Sequence, residues 1–478
     1  MKKILFVGAE VMPFAATGGL GDVMGSLPAA LAKAGEADVR VVMPLYGQIS
    51  DTWRQKMKDE VTFTVKLAWR ELYCGIKSLR HEGVTYYFVD NEYYFKRDRL
   101  YGEFDDGERF AYFCMAVMEA IGQLDFYPDV LHAHDWQAAL SVVYLKELYR
   151  GKAAYRDIRT AFTIHNIEYQ GQYHFGILGD VFSLGMAQYE LMDFGGSINL
   201  MKAAIVCADA VSTVSPRYAE EICTPLYGKG LDGVLRDHAH KLCGILNGID
   251  YRYYDPARDS AIPVPYSRRT IEKKQENKLA LQASLSLPSR RDVPMLAVIS
   301  RLAAHKGFDI MCEMLDKLIG ENDVQLVVLG CGEARFEHYF TALSHRFPDK
   351  VRAMMKYDRD IAKQIYAAAD IFLMPSRTEP CGLAQMIASR YGAIPVVRET
   401  GGLFDSIKGY WEQGSKIHGN GFTFAGYNAH ELFERTCAAI SLWRNEEKRH
   451  ALVGKIMRTD FSWDASARKY LDMYENLK

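Results

Sequence analysis

Between Pro13 and Pro28 the chain reads PFAATGGLGDVMGSLP and carries no lysine or arginine. The absence matters because a glycine turn set between an apolar strand (KILFVGA) and a helix is a place where chains hold anions. Without a nearby cation, such a turn offers only the partial charges of its backbone amides. An excess of one charge is also missing. The 58 Lys+Arg and 60 Asp+Glu leave a formal net charge of −2, which excludes the basic surplus of a nucleic-acid or membrane-surface protein. CxxC pairs are lacking too. The nine cysteines are scattered, several in apolar runs (Cys114, Cys207, Cys312), and read as reduced core residues of a cytoplasmic protein. No apolar run reaches bilayer-spanning length. The start MKKILFVGAEVMP is interrupted by Glu10 and Pro13 where a signal peptide needs its cleavage region, and reads as a first buried strand.

What is present is a repeated alternation. With 478 residues the chain exceeds one hydrophobic core, and two domains are expected. KILFVGA, DVRVVMP, DVLHAH, RTAFTIH and AVSTVS are short apolar strand candidates with amphipathic helical stretches between them. VTFTVKLAWRELYCGIKSLRHEGVTYYFVD departs from this, as antiparallel strands inserted after the second strand. The alternation starts again with LCGILNG, MLAVISR, VQLVVLG, VRAMMKY, IFLMPS and IPVVRE. The pattern predicts an α/β fold of two Rossmann-like doubly wound domains facing across a cleft. The join is placed near Leu246 to Asp259, which gives an N-terminal domain over residues 1–244 and a C-terminal one over 245–463. Ligands in such sheets bind at the carboxyl ends of the strands.

Five stretches carry polar residues just past strand ends: HAHDW (His132, His134, Asp135), TIHNIEYQG (His165, Asn166), ISRLAAHKG (Arg301, Lys306), SRTEPCG (Glu379, Cys381) and RETGGL (Thr400, Gly401, Gly402). The tetrapeptide TGGL occurs twice, at Thr17–Leu20 and Thr400–Leu403, each time before a helix-like segment. Bland readings stand beside the functional ones. HxHD has metal-ligand spacing, but a strand histidine such as His132 more often faces the core. Asp358 and Asp360 form DRD, whose place before IAKQIYAAA favours an N-cap over a metal site. Cys381 has no dedicated base and reads as a packed thiol. Arg301 and Lys306, five apart across a strand-to-helix turn, are able to converge on a diphosphate. Together the stretches suit group transfer from a nucleotide diphosphate without a metal.

PFAATGGLGDV, HAHDWQAAL, FTIHNIEYQGQY, GILNGID, ISRLAAHKGFD, MPSRTEPCGLAQ and VRETGGLFDSI span nearly the whole chain. In that order they resemble the bacterial glycogen synthases, relatives of the plant starch synthases among the GT-B glycosyltransferases of family 5. The resemblance implies transfer of glucose from a nucleotide-glucose, ADP-glucose favoured, to the non-reducing end of an α-1,4-glucan such as glycogen, with retention of configuration and no cofactor. It implies that Arg301 and Lys306 hold the leaving diphosphate, that Glu379 binds the donor sugar and is needed for catalysis, and that His165 and Asp135 line the sugar site with Asn247 nearby. Gly18, Gly19, Gly401 and Gly402, beside Thr400, are expected to bring backbone amides to the donor, and Tyr357 to stack on its base. The C-terminal helix within 464–478 is expected to pack back on the first domain. In one respect the chain departs from the family: Ala16 stands where the first turn usually has lysine. A cation from Lys66, Arg70 or Lys77 filling that space is one alternative. A weak or inactive glucan-binding or regulatory homologue is a second, and a GT-B transferase with a small sugar acceptor a third.

Overall fold

The first strand, β1 (Lys2–Val7), buries Ile4 to Val7 completely or nearly so, as a strand covered on both faces of a parallel sheet must. It pairs in parallel with β2 (Ala37–Pro44) on one side and with β6 (Val130–His134) on the other. In this computed structural model, which describes residues 1–414 and 416–477, the chain divides into two units. Unit 1 comprises Met1–Gly248 and Trp463–Lys478, and unit 2 comprises Ile249–Ser462.

Unit 1 is built on a nine-stranded sheet. Its further strands are β3 (Lys58–Leu67), β4 (Arg70–His81), β5 (Val84–Asp90), β7 (Arg159–Ile164), β8 (Ala210–Thr213) and β9 (Leu242–Gly244). The spatial order is β9-β8-β7-β6-β1-β2-β5-β4-β3. One expectation is corrected here. LCGILNG does not open the second half: its strand β9 pairs in parallel with β8 and closes the edge of the first sheet. The antiparallel strands expected after β2 are present and extend this same sheet. β5 pairs in parallel with β2, and β4 and β3 continue outward as antiparallel edge strands of the same sheet. The helix Trp463–Glu475 packs on the helix Gly19–Ala34 and joins unit 1 through Lys2 Nζ to the Tyr474 carbonyl at 2.7 Å and Ser466 Oγ to the Leu246 carbonyl at 2.5 Å.

Unit 2 carries a six-stranded, all-parallel sheet. Its strands are β10 (Met295–Ile299), β11 (Gln325–Leu329), β12 (Val351–Met354), β13 (Ile371–Met374), β14 (Ile394–Arg398) and β15 (Phe422–Phe424), in the order β12-β11-β10-β13-β14-β15. The order reverses at β10, so the loops after β10 and β13 leave the sheet on either side of a switch point, where ligands bind in such folds. DRD is settled locally. Asp358 Oδ1 accepts the amides of Asp360 and Ile361 and caps the helix Arg359–Ala368.

Candidate active site

In unit 2 the loops at the carboxyl ends of β10 and β13 are pressed together. Gly307 has φ +82°, and a Cβ there would lie 2.1 Å from the Pro375 carbonyl oxygen. Only glycine permits both the left-handed conformation and that approach. The contact brings Lys306 Nζ to Glu379 Oε2 at 2.7 Å, and Ser376 Oγ donates to the same oxygen at 3.0 Å. Glu379 is 5% exposed, so its charge is kept by a paired ammonium and a hydroxyl rather than by water. Arg301, by contrast, is exposed, and its side chain makes no hydrogen bond or ion pair among the described residues. The two cations of the sequence motif are thus not equivalent.

The second glycine turn meets the same loop from β14. A Cβ on Gly401, at φ +42°, would sit 1.9 Å from the Glu379 carbonyl oxygen, and one on Gly402 would sit 2.1 Å from that of Cys381. The Gly402 amide donates to the Glu379 and Pro380 carbonyls, both at 3.2 Å. Gly402 thus uses its amide to position the Glu379 loop. Thr400 is buried at the start of the short helix Gly401–Ser406, and Cys381 is a buried thiol outside any disulfide. Tyr357 lies three residues past β12 and is 70% exposed.

In unit 1 the polar residues gather at the ends of β1, β6 and β7. Asp135 links β6 to the helix Trp136–Tyr144 with φ +58°, a conformation that costs a non-glycine residue on the order of 1–3 kcal/mol. Its Oδ1 accepts the His165 amide at 2.7 Å. Burial pushes the Asp135 carboxyl up to about 7, against the pull of the His165 and Asn166 amides and helped by the nearby Glu10 charge. His165 Nε2 hydrogen-bonds His134 Nδ1 at 2.9 Å, and burial pushes His165 down to about 3, so the pair is neutral. His132 keeps its core role, between Tyr474 Oη at 2.7 Å and Thr163 Oγ1 at 2.6 Å. Among the described residues no three His, Cys, Asp or Glu side chains gather as a metal would require. Asn247 is buried, and its Oδ1 has no hydrogen-bond partner among the described residues, a group that gains by meeting a donor.

The Asp135 environment has a consequence for stability. A carboxyl whose folded pKa is raised contributes stability that is full below its unfolded value near 4 and is lost as pH climbs through about 7. Asp135→Asn removes this loss. The melting temperature of the variant relative to wild type is expected to rise steadily between pH 4 and pH 8. A constant difference across that range would contradict the raised carboxyl.

The first glycine turn holds the answer to its missing cation. The turn does not stand empty: Glu10, 2% exposed, accepts the Thr17 amide at 2.6 Å and the Gly18 amide at 3.1 Å on Oε2, and Thr17 Oγ1 at 2.8 Å and the Tyr101 hydroxyl at 2.6 Å on Oε1. The Gly18 amide thus serves an internal carboxylate. Gly19 opens the helix, and a Cβ on either glycine would meet nothing within 4 Å. The space over the turn is open to a ligand. Glu10 was visible in the sequence only as an interruption of an apolar run, and Tyr101, in a polar loop, gave no signal. The hairpin cations do not fill the place of the missing lysine. Lys66 pairs with Glu71, Arg70 with Glu108 and Asp180, and Lys77 with Asp59.

Two α/β units, the second with a paired carboxylate and ammonium at the switch point of its sheet, fit a glycosyltransferase of GT-B type, and the comparisons show that class. The starch synthase catalytic domain family matches residues 3–237, and the glycosyl transferases group 1 family matches residues 284–455. A glycogen synthase of Anoxybacillus flavithermus is 48% identical over 99% of this chain and 98% of its own. That of Bacillus subtilis is 44% identical over 99% and 98%. Among solved structures, the catalytic domain of starch synthase IV from Arabidopsis thaliana, bound to ADP and acarbose, aligns with a TM-score of 0.90 at 33% identity over 99% of this chain and 98% of that one. A sucrose-phosphate synthase from Thermosynechococcus elongatus aligns at 0.60 and 16% identity, over 100% and 99%, and shares the fold. The chain belongs to the glycogen synthase family.

Proposed function

We propose that the chain transfers glucose from ADP-glucose to the non-reducing end of an α-1,4-glucan, with retention at the anomeric carbon. Family membership carries glucosyl transfer to a glucan, and the solved relative that binds ADP supports the choice of donor. The observation that carries the chemistry is the Lys306–Glu379–Ser376 cluster at the switch point of the unit 2 sheet. In this reading Arg301 and Lys306 receive the diphosphate. Its bond to C1 breaks while the acceptor oxygen bonds to C1 from the same face. The acceptor's proton passes to the departing phosphate oxygen. Fixed cations aimed at charge that develops in the transition state are worth on the order of 3 kcal/mol each. Glu379 holds the donor sugar, Asn247, Asp135 and His165 line its surroundings, and Tyr357 stacks on the base. The nine cysteines stand outside any disulfide and no described helix is long and apolar enough to cross a membrane, which supports a cytoplasmic site of action. The test is kcat/KM for ADP-glucose against UDP-glucose with glycogen as acceptor. An exo-acting α-1,4-specific amylase should then release the added glucose. Preference for UDP-glucose, or resistant product, would sink the corresponding part of the proposal.

With two cations assigned to the leaving group, turnover is expected to survive excess chelator unchanged. Loss of activity restored by magnesium or manganese would contradict this.

Ala16 permits a gain of function. Its Cβ lies beside Gly21, in the same corner as Glu10 Oε2, so a lysine there would meet the Glu10 carboxylate and add a full charge to the turn. Ala16→Lys is expected to tighten nucleotide-glucose binding by about 1 kcal/mol, because a partly solvated cation is screened and loses rotamer freedom. Donor titration at low and high salt checks this. A wild type without turnover, restored by this one lysine, would show that the natural chain is silenced.

A further inference from the structure

Arg109 is fully buried in unit 1, at 0% exposure. A buried guanidinium is costly unless its N–H groups are used. Nε donates to the Tyr94 carbonyl at 2.7 Å, Nη2 to the Leu100 carbonyl at 3.2 Å and Nη1 to Asp106 Oδ1 at 2.6 Å. Asp106, itself buried, turns its other oxygen to the Gly102 amide at 2.6 Å. The ion pair therefore grips the loop on both sides of Tyr101. The Tyr101 hydroxyl reaches Glu10 Oε1 and Thr17 Oγ1, and Glu10 holds the Thr17 and Gly18 amides. One chain of hydrogen bonds thus runs from the core to the first glycine turn. An apolar side chain would fill the same volume at lower cost, so packing alone does not account for the charge.

We propose that Arg109 is a positioning residue for the Thr17–Gly19 turn: with Asp106 it fixes Tyr101, which through Glu10 sets where the turn meets the nucleotide-glucose. The inference rests on the reading of that turn as facing the donor. Arg109 touches no reacting atom in this account and acts only through geometry.

The test compares Arg109→Met, Tyr101→Phe, the double variant and Gly19→Val, reading donor KM, acceptor KM, kcat and melting temperature. Arg109→Met should raise donor KM about tenfold, the scale of a misplaced binding group, and leave acceptor KM unchanged. Tyr101→Phe should raise donor KM comparably, with only the modest drop in melting temperature that one lost hydrogen bond to a buried carboxylate brings, and the double variant should be no worse than the larger single effect on donor KM, since both act through one path. If Arg109→Met does not fold, Asp106→Asn carries the same expectation. A wild-type donor KM in the folded Arg109 or Asp106 variant, or effects that multiply in the double, would overturn the positioning role. Gly19→Val, whose side chain enters open space, separates the two claims. An unchanged donor KM there would remove the turn from the donor site and the proposal with it. A raised KM there beside a normal one in Arg109→Met would overturn the positioning role alone.

Discussion

Replacing Glu379 by alanine is expected to abolish glucosyl transfer, by a factor on the order of a thousand or more, in a protein that still folds. The carboxylate is the acidic group at the switch point of the unit 2 sheet, and the structure spends three devices on holding it. Lys306 and Ser376 bind its oxygen, and Gly401 and Gly402 let the β14 loop close against its backbone. Removal of the side chain frees Lys306, which is partly exposed and able to turn to water, so the fold is expected to survive. Turnover and melting temperature measured together decide the matter. Near-normal turnover in a folded Glu379→Ala protein would remove this residue from the mechanism.

Arg301→Ala and Lys306→Ala are each expected to slow turnover by roughly a hundredfold, the scale of a lost charge at the leaving group. Their effects on stability should differ. The Arg301 side chain is exposed and has no hydrogen-bond or ion-pair partner among the described residues, so its loss should leave the melting temperature unchanged. Lys306→Ala leaves the Glu379 carboxylate nearly buried with Ser376 alone, at a cost on the order of 2 kcal/mol. A rise in donor KM with kcat unchanged would mean that the cations bind ground state and transition state alike. Equal melting temperatures for the two variants would contradict the ion pair.

Much of this was legible in the chain. Continuous apolar strands such as ILFV and LVVL can only be buried on both faces, and helices between them dictate parallel pairing, which is what the unit 2 sheet shows throughout and the unit 1 sheet shows except at its β4 and β3 edge. The Asp358 cap followed from its place before a helical pattern. Other features were not legible, for physical reasons. LCGILNG was misplaced because an edge strand and a first strand have the same apolar run, and only pairing with β8 tells them apart. Glycines were read as ligand contacts, yet Gly402 is needed for close backbone approach within the protein, and Gly18 gives its amide to Glu10. A glycine in sequence does not say which neighbour approaches it. Tyr101 and Glu10 lie 91 positions apart and meet through a long-range hydrogen bond that no local pattern encodes, and nothing in the chain near Arg109 shows that its pair with Asp106 grips the loop around Tyr101. The family signature points to Arg301 and Lys306 as a pair, while the fold shows one paired with Glu379 and the other solvent-facing.

The central claim is that this chain extends a glucan from a nucleotide-glucose although its first glycine turn lacks a lysine. The most direct measurement is nucleoside diphosphate release from ADP-glucose by the wild-type protein, with and without glycogen, beside incorporation of labelled glucose into the glycogen. The account predicts that diphosphate release depends on glycogen and matches the glucose incorporated one for one. Glycogen binding without any release from either ADP-glucose or UDP-glucose would contradict it.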